Sequence, residues 1–281
     1  VRHVYACPIR WGDMDAFQHV NNVYYADYLQ EARWDFLAST GCPGLNFVVL
    51  GSQRLNYVSP LAFDGRPILV EVWVTAVGEK SFSLAYELFR EDDGVRTVHL
   101  RAYATQVAFD YGRTRRSRPL TEQEREVLTA RLEQTEYMPV DFAVPGVPPT
   151  NVHPVQLRLS DIDLGGIVSN VKYLEFFQEA RIDLFRSLAA TVSPDTGMPG
   201  TVVAQADVQY VRPIGHRVDT YDVRTWVSHV GTKSLVLTAE FGDAGEIKAR
   251  GRFVMVCFDL AEAKAVEFSP MWRRLLTPPT A

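Results

Sequence analysis

The sequence predicts an α+β protein made of two copies of one domain, each an antiparallel sheet set against a single long helix. Three observations carry that prediction. The stretch Arg10–Arg33 returns at Arg158–Arg181 without a gap and with 11 of 24 positions identical, and a repeat of that quality decides the fold before any local feature does. Each copy contains one segment with apolar residues every three or four positions, the spacing of a helix with one buried face. Each such segment is followed by four runs rich in β-branched and aromatic residues, the composition of strands.

In the first copy, "HVYACPIRW" is a short strand candidate, and the polar "GDMDAFQHVNN" after it reads as a loop. After Asn22, Tyr25, Tyr28, Leu29, Ala32, Phe36 and Leu37 fall on helical spacing, and Gly41 is a reasonable stop because glycine tolerates the left-handed turn that ends helices. Four strand candidates follow, "NFVVLGSQRLNYVS", "PILVEVWVTAVG", "SFSLAYELFRE" and "RTVHLRAYATQVAFD", separated by turn chemistry such as "FDGRP" and "EDDG". One helix over an antiparallel sheet buries both apolar faces at once.

The correspondence between copies runs on downstream: "LNYVSPL" with "VQYVRPI" (Tyr57 with Tyr210, Pro60 with Pro213), "VGEKSFSL" with "VGTKSLVL", and "VAFD" with "VCFD". The expected organisation is therefore domain 1 over 1–112, a linker with a short helix over 113–150, and domain 2 over 151–281, with the two domains packed as a pseudo-dimer. In the linker, Thr121 and Glu124 have capping-box spacing, and "MPVDFAVPGVPPT" is rich in chain-breaking residues. Arg113, Arg115, Arg116 and Arg118 read as a solvated loop face.

Composition narrows the function classes. A net charge of −5 argues against nucleic acid as a partner. No apolar run reaches the roughly 20 residues of a membrane span. The N-terminal "VRHVYACPIR" lacks a signal peptide's apolar segment, so a cytoplasmic location is expected. Three scattered cysteines, Cys7, Cys42 and Cys257, suit neither a disulfide framework nor a zinc site and read as small buried hydrophobes. With no P-loop, Gly-x-Ser-x-Gly elbow or His-Glu-x-x-His, neither metal nor cofactor is expected.

The passage Asp13, Asp15, His19, Val20, Asn21, Asn22, Tyr25, Glu31, Arg33 resembles the D-x-D-x-x-x-H-V-N-N-x-x-Y then E-x-R signature of hotdog-fold thioesterases of the 4-hydroxybenzoyl-CoA thioesterase type, in its bacterial acyl-CoA thioesterase branch. Counting both copies, the resemblance spans roughly 3–110 and 153–260. It implies two hotdog domains in tandem, each a sheet wrapped around a long central helix, mimicking the family's dimer, with active sites where units pair. It also implies hydrolysis of an acyl-CoA or acyl-carrier-protein thioester, CoA entering as part of the substrate. Asp15 and Asp163 match the family's catalytic carboxylate, nucleophile or general base. Asn22 and Asn170 stand at the helix start, where the family's oxyanion donor is a backbone N–H. Further homo-oligomerisation is left open.

The chemistry agrees with these residue types. Thioester hydrolysis needs a base or nucleophile on one side of the carbonyl and donors where the oxyanion forms. A carboxylate seven residues before a helix start can lie near that helix's electropositive first turn. Aspartates also cap turns without doing chemistry, and Asp13 and Asp161 read as structural. His19 is a candidate to orient Asp15 or water, or serves the loop alone; the second copy has Ile167 there, and Ser169 for Asn21. That copy is closer to the glycine-containing D-x-x-G-[IV]-V version of the motif. Tyr25 and Tyr173 are candidates to line the acyl site, with core packing as the competing reading. Lys80 and Lys233, each after a repeated turn glycine, are candidates to meet CoA phosphates, as are Arg66 and Arg217, against a plain solvated role. Two other classes remain open on sequence: a hotdog acyl-thioester hydratase or dehydratase, and a non-catalytic acyl-CoA-binding module.

Overall fold

The structure is a computed structural model that describes residues 2–134, 142, 149–192, 200–243, 245–259, 262 and 264–277. The chain divides into two compact units, Val1–Val140 and Asp141–Ala281. The expected breaker-rich linker 138–150 lies, apart from 142, 149 and 150, outside the described residues.

The first unit runs β1 (His3–Cys7), α1 (Tyr25–Ser39), β2 (Val48–Tyr57), β3 (Ile68–Val77), β4 (Ser81–Asp92) and β5 (Val95–Asp110). The strands pair antiparallel in the order β1-β3-β4-β5-β2. Strand, helix, then four strands is the expected order. α1 packs on β1 and β3 and buries Tyr25, Tyr28, Leu29, Ala32, Phe36 and Leu37, the residues its spacing marks. Burying a side chain such as Leu29 or Phe36 contributes about 1.5–3 kcal/mol, which holds the helix better than its own propensity does. Trp34 points outward at 57% exposure. Gly41, at φ +68°, ends the element as expected.

α1 starts at Tyr25, three residues later than the polar loop suggests, because residues 22–24 form a turn in which Tyr24 N–H donates to Asn21 O (3.0 Å). Past β5, a two-residue strand β6 (Arg116–Ser117) pairs with its end. Helix α2 (Glu122–Thr129) then begins on the expected capping box: Glu124 N–H donates to Thr121 Oγ1 (3.2 Å) and Thr121 N–H to Glu124 Oε2 (2.8 Å). Arg118 departs from the solvated-loop reading. Its guanidinium forks onto both oxygens of buried Glu124 (2.7 Å each) and reaches Gly44 O (2.9 Å), the planar pairing arginine favours.

The second unit repeats the plan with β7 (Asn151–Val155), α3 (Lys172–Ala189), β8 (Thr201–Tyr210), β9 (Tyr221–Val230), β10 (Ser234–Asp243) and β11 (Glu246–Asp259), in the order β7-β9-β10-β11-β8. β12 (Lys264–Ala265) pairs with β11, and α4 (Pro270–Leu276) follows. Sequence reading missed α4, although Ser269 at its N-cap and Pro270 inside its first turn are the usual start signal.

The cores are filled differently. At matching sheet positions the first unit has Tyr86 and Ala104 where the second has Ala239 and Phe253, so the large ring has changed strands. Phe253 packs against Phe177 of α3, ring centroids 5.6 Å apart. A side chain on Gly251 would lie 2.7 Å from the Phe253 ring, which leaves glycine as the residue that fits. All three cysteines are free and buried, as expected, and burial pushes the Cys7 thiol up to about 12.

Candidate active site

Between β1 and α1 the chain makes a 3₁₀ turn (Trp11–Asp13) and a loop, and the same construction returns at Leu159–Asp161. Asp13 is 7% exposed and anchors the first loop: its Oδ2 accepts from Arg10 N–H (2.8 Å) and from the Tyr28 hydroxyl on α1 (2.7 Å). Asp161 accepts from Arg158 N–H (2.7 Å), but the residue corresponding to Tyr28 is Phe176, which stacks on Phe241 instead. Asp13 and Asp161 are therefore loop anchors, as the sequence suggests.

Two residues on, Asp15 is half-buried. Its Oδ1 accepts from Phe17 N–H (2.8 Å) and His19 N–H (3.3 Å), while its own N–H donates to His19 O (2.8 Å). Asp163 is held the same way: Oδ1 accepts from Gly165 N–H (2.8 Å) and Ile167 N–H (3.3 Å), and its N–H donates to Ile167 O (2.8 Å). Among the described residues no hydrogen bond reaches Oδ2 of either carboxylate, and no ion pair engages them. Each acid is fixed through one oxygen and offers the other.

His19 contributes to this arrangement through its main chain, not its ring. Ile167 makes the same backbone bonds, which explains how the second copy dispenses with the histidine. The turn at the loop's tip needs a left-handed residue, Gln18 at φ 61° in one copy and Gly166 at φ 73° in the other.

Asn22 and Asn170 lie in the turns that open the helices. Their carbonyls accept from the Tyr57 hydroxyl (2.8 Å) and the Tyr210 hydroxyl (3.0 Å). Those tyrosines stand edge-on to Tyr25 and Tyr173, at 5.2 Å in both units. Sequence reading used Tyr57 and Tyr210 only as landmarks of the repeat; their recurrence beside a repeated proline was the available signal. At the helix entrance, Tyr24, Ala26 and Asp27 N–H groups are spent on turn bonds of 3.0–3.2 Å. The N–H groups of Asn22 and Tyr25 make no hydrogen bond among the described residues, and both retain the partial positive charge of a helix start.

Tyr25 and Tyr173 are 3% exposed each, and burial pushes both phenols above their usual range. They are core side chains. Lys80 and Lys233 are exposed on the β3–β4 and β9–β10 turns, where their carbonyls accept Ala108 and Cys257 N–H. Ala108 and His99 are nine residues apart on β5, so within the first unit Lys80 is roughly 30 Å along the strand from His99. Arg66 is tied to Asp64 and Asp92, and Arg217 to Asp243. A cavity of about 200 Å³ beside α1 is lined by Asp13, Asp27, Glu31, Tyr24, Tyr28 and Cys7 among others; Asp15 is not in its wall. No group of His, Cys, Asp and Glu among the described residues has a metal-binding arrangement.

Two stretches, residues 9–136 and 157–276, match the model of the Thioesterase-like superfamily. The chain belongs to that superfamily. Each match contains one of the two carboxylate loops, and membership places this protein among thioester hydrolases, ahead of the hydratase and binding-module readings. Solved structures show the same tandem hotdog-like fold over nearly the whole chain. The 12:0-ACP thioesterase of Umbellularia californica aligns with TM-score 0.71 at 16% identity, covering 91% of this chain and 93% of that one. An acyl-ACP thioesterase of Bacteroides thetaiotaomicron aligns with TM-score 0.65 at 13% identity, covering 91% and 97%. No curated protein matches the chain. No helix among the described residues is long and apolar enough to cross a membrane.

Proposed function

We propose that this thioester hydrolase cleaves acyl-CoA or acyl-carrier-protein thioesters with Asp15 and Asp163 as the catalytic carboxylates. The observation that supports this reading is the half-engaged carboxylate: both copies clamp Oδ1 with two main-chain N–H groups, and among the described residues Oδ2 has no hydrogen-bond partner. In the proposed step, Oδ2 takes a proton from water as the water oxygen bonds to the acyl carbon; attack by Oδ2 itself is the nucleophilic variant. The carbonyl oxygen gains charge and meets the N–H groups of Asn22 and Tyr25, with Asn170 and Tyr173 in the corresponding places. The C–S bond then breaks, and the thiolate takes up the proton to leave free acid and thiol.

The acyl-ACP thioesterases of the same fold and the motif's likeness to the 4-hydroxybenzoyl-CoA type support an acyl thioester substrate, and the tandem family matches support pairing of the units as a pseudo-dimer. The test is thiol release from a panel of acyl-CoA and acyl-carrier-protein substrates. The double variant Asp15→Asn/Asp163→Asn should stay folded and lose at least about 10²-fold in kcat, the usual share of a general base. A folded double variant with undiminished turnover would refute the assignment.

A further inference from the structure

We propose that His99 is a positioning residue for the Asp15 site, acting through the Ser59–Ala62 segment. The inference rests on Asp15 being a working carboxylate. His99 lies on β5 and is 7% exposed. Its Nδ1 is 2.9 Å from Pro60 O and 3.0 Å from Ser59 Oγ. The Ser59 hydroxyl donates to Val98 O (2.8 Å), so its proton is committed and Nδ1 must carry the hydrogen that Pro60 O accepts. Nε2 is buried and has no hydrogen-bond partner among the described residues, which fits a bare lone pair better than an unsatisfied N–H and makes the ring neutral. The His99 carbonyl also accepts Val58 N–H (2.9 Å) and Ser59 N–H (3.4 Å). Side chain and main chain together tie residues 58–60 to the sheet where regular strand pairing has ended.

That segment is what the carboxylate loop leans on. Val20 N–H donates to Leu61 O (2.7 Å), His19 bridges to Ala62, and the Tyr25 phenol meets the Leu61 backbone. Since His19 supplies both the N–H on Asp15 Oδ1 and the carbonyl that receives Asp15 N–H, a shift at Pro60 is passed to the acid in three bonded steps. Displacements near 1 Å at a reacting group are enough to cost large factors in rate.

The second unit anchors its loop the same way, Val168 N–H on Ile214 O (2.7 Å), but braces the segment differently. Lys248 stands in the place of His99 and Arg212 in that of Ser59, and Glu246 joins them, Lys248 Nζ to Oε2 at 2.7 Å and Arg212 to Oε1 at 2.8 Å. The histidine brace is therefore private to the first unit.

The test reads kcat and KM separately in the Asp163→Asn parent, where turnover comes from the first unit. His99→Leu should lower kcat about tenfold to a hundredfold with KM within about twofold. His99→Asn, whose amide nitrogen can occupy the Nδ1 position, should recover most of it, and His99→Gln, whose amide reaches instead toward Nε2, should not. In an Asp15→Asn parent the same changes should leave turnover unaltered. Unchanged kcat in folded His99→Leu, or equal losses in both parents, would overturn the proposal. If the Leu variant fails to fold, Asn against Gln carries the test, and equal turnover of those two overturns it. An Asp163→Asn parent that is already inert would instead refute Asp15 as a working acid, and this inference with it.

Discussion

The loops 13–22 and 161–170 hold their carboxylates with matching main-chain bonds, although the four residues between Asp15 and Val20 all differ from those between Asp163 and Val168. What surrounds the loops differs just as much. The first is pinned by the Tyr28–Asp13 hydrogen bond and braced through a buried neutral histidine; the second lacks the hydroxyl and is braced by surface ion pairs. The lesson is that backbone geometry carries the acid, while side chains set how firmly each copy is backed.

The comparison breaks first if the main chain is cut out of it. Phe17→Pro, measured in the Asp163→Asn parent, removes the 2.8 Å donor to Asp15 and should cost about 10²-fold in kcat, whereas Phe17→Gly, which copies the second unit, should stay within about threefold. Equal effects would mean that the Phe17 side chain, not its amide, holds the acid. Next is Tyr28→Phe, which recreates the second unit's side chain over a carboxylate that relies on the hydroxyl. A lost hydrogen bond to a buried charge should lower stability by about 1.5–3 kcal/mol in urea unfolding. The opposite exchange, Phe176→Tyr, should give no comparable gain, because Phe176 is committed to Phe241.

A smaller effect sharpens the contrast at the loop tips. Gly166→Ala forces a side chain into the left-handed region and should cost about 1 kcal/mol, while Gln18→Ala, already in that region, should change little. The pH dependence should separate the braces. Burial lowers the His99 pKa from its ordinary 6.5, with the charge of Arg90 adding to the shift. The unfolded chain therefore binds the proton more readily, so the contribution is full above pH 6.5 and is lost as pH falls through the lowered folded value. Stability of wild type against His99→Asn from pH 7 downward should converge on the acid side. Least of all, Glu246→Gln should leave thermal unfolding almost unmoved, and added salt should erase what difference remains, since exposed ion pairs contribute little.

Much of this was legible in the sequence because it is local or periodic. The ungapped repeat announced the duplication, the three-to-four spacing from Tyr25 to Leu37 gave α1, and Thr121 with Glu124 gave the start of α2. What stayed hidden depends on strand register. His99 meets Pro60 and Tyr57 meets Asn22 across 35 residues or more, and no local spacing shows which residue of β5 will end opposite which turn. For His19 the sequence left two readings open, a ring beside Asp15 or a role in the loop alone, because spacing does not distinguish an imidazole partner from an amide one; in the structure the amide donates to Asp15.

The buried cysteines have a practical consequence. With all three native thiols shut away and Cys7 ionising only near 12, a maleimide will find them slowly, since the thiolate is the reacting form. A cysteine introduced at an open position such as Trp34 would be labelled selectively without first stripping out the natural ones. Pairs of such labels would let fluorescence or spin-echo distances report how the two halves of the chain are arranged in solution.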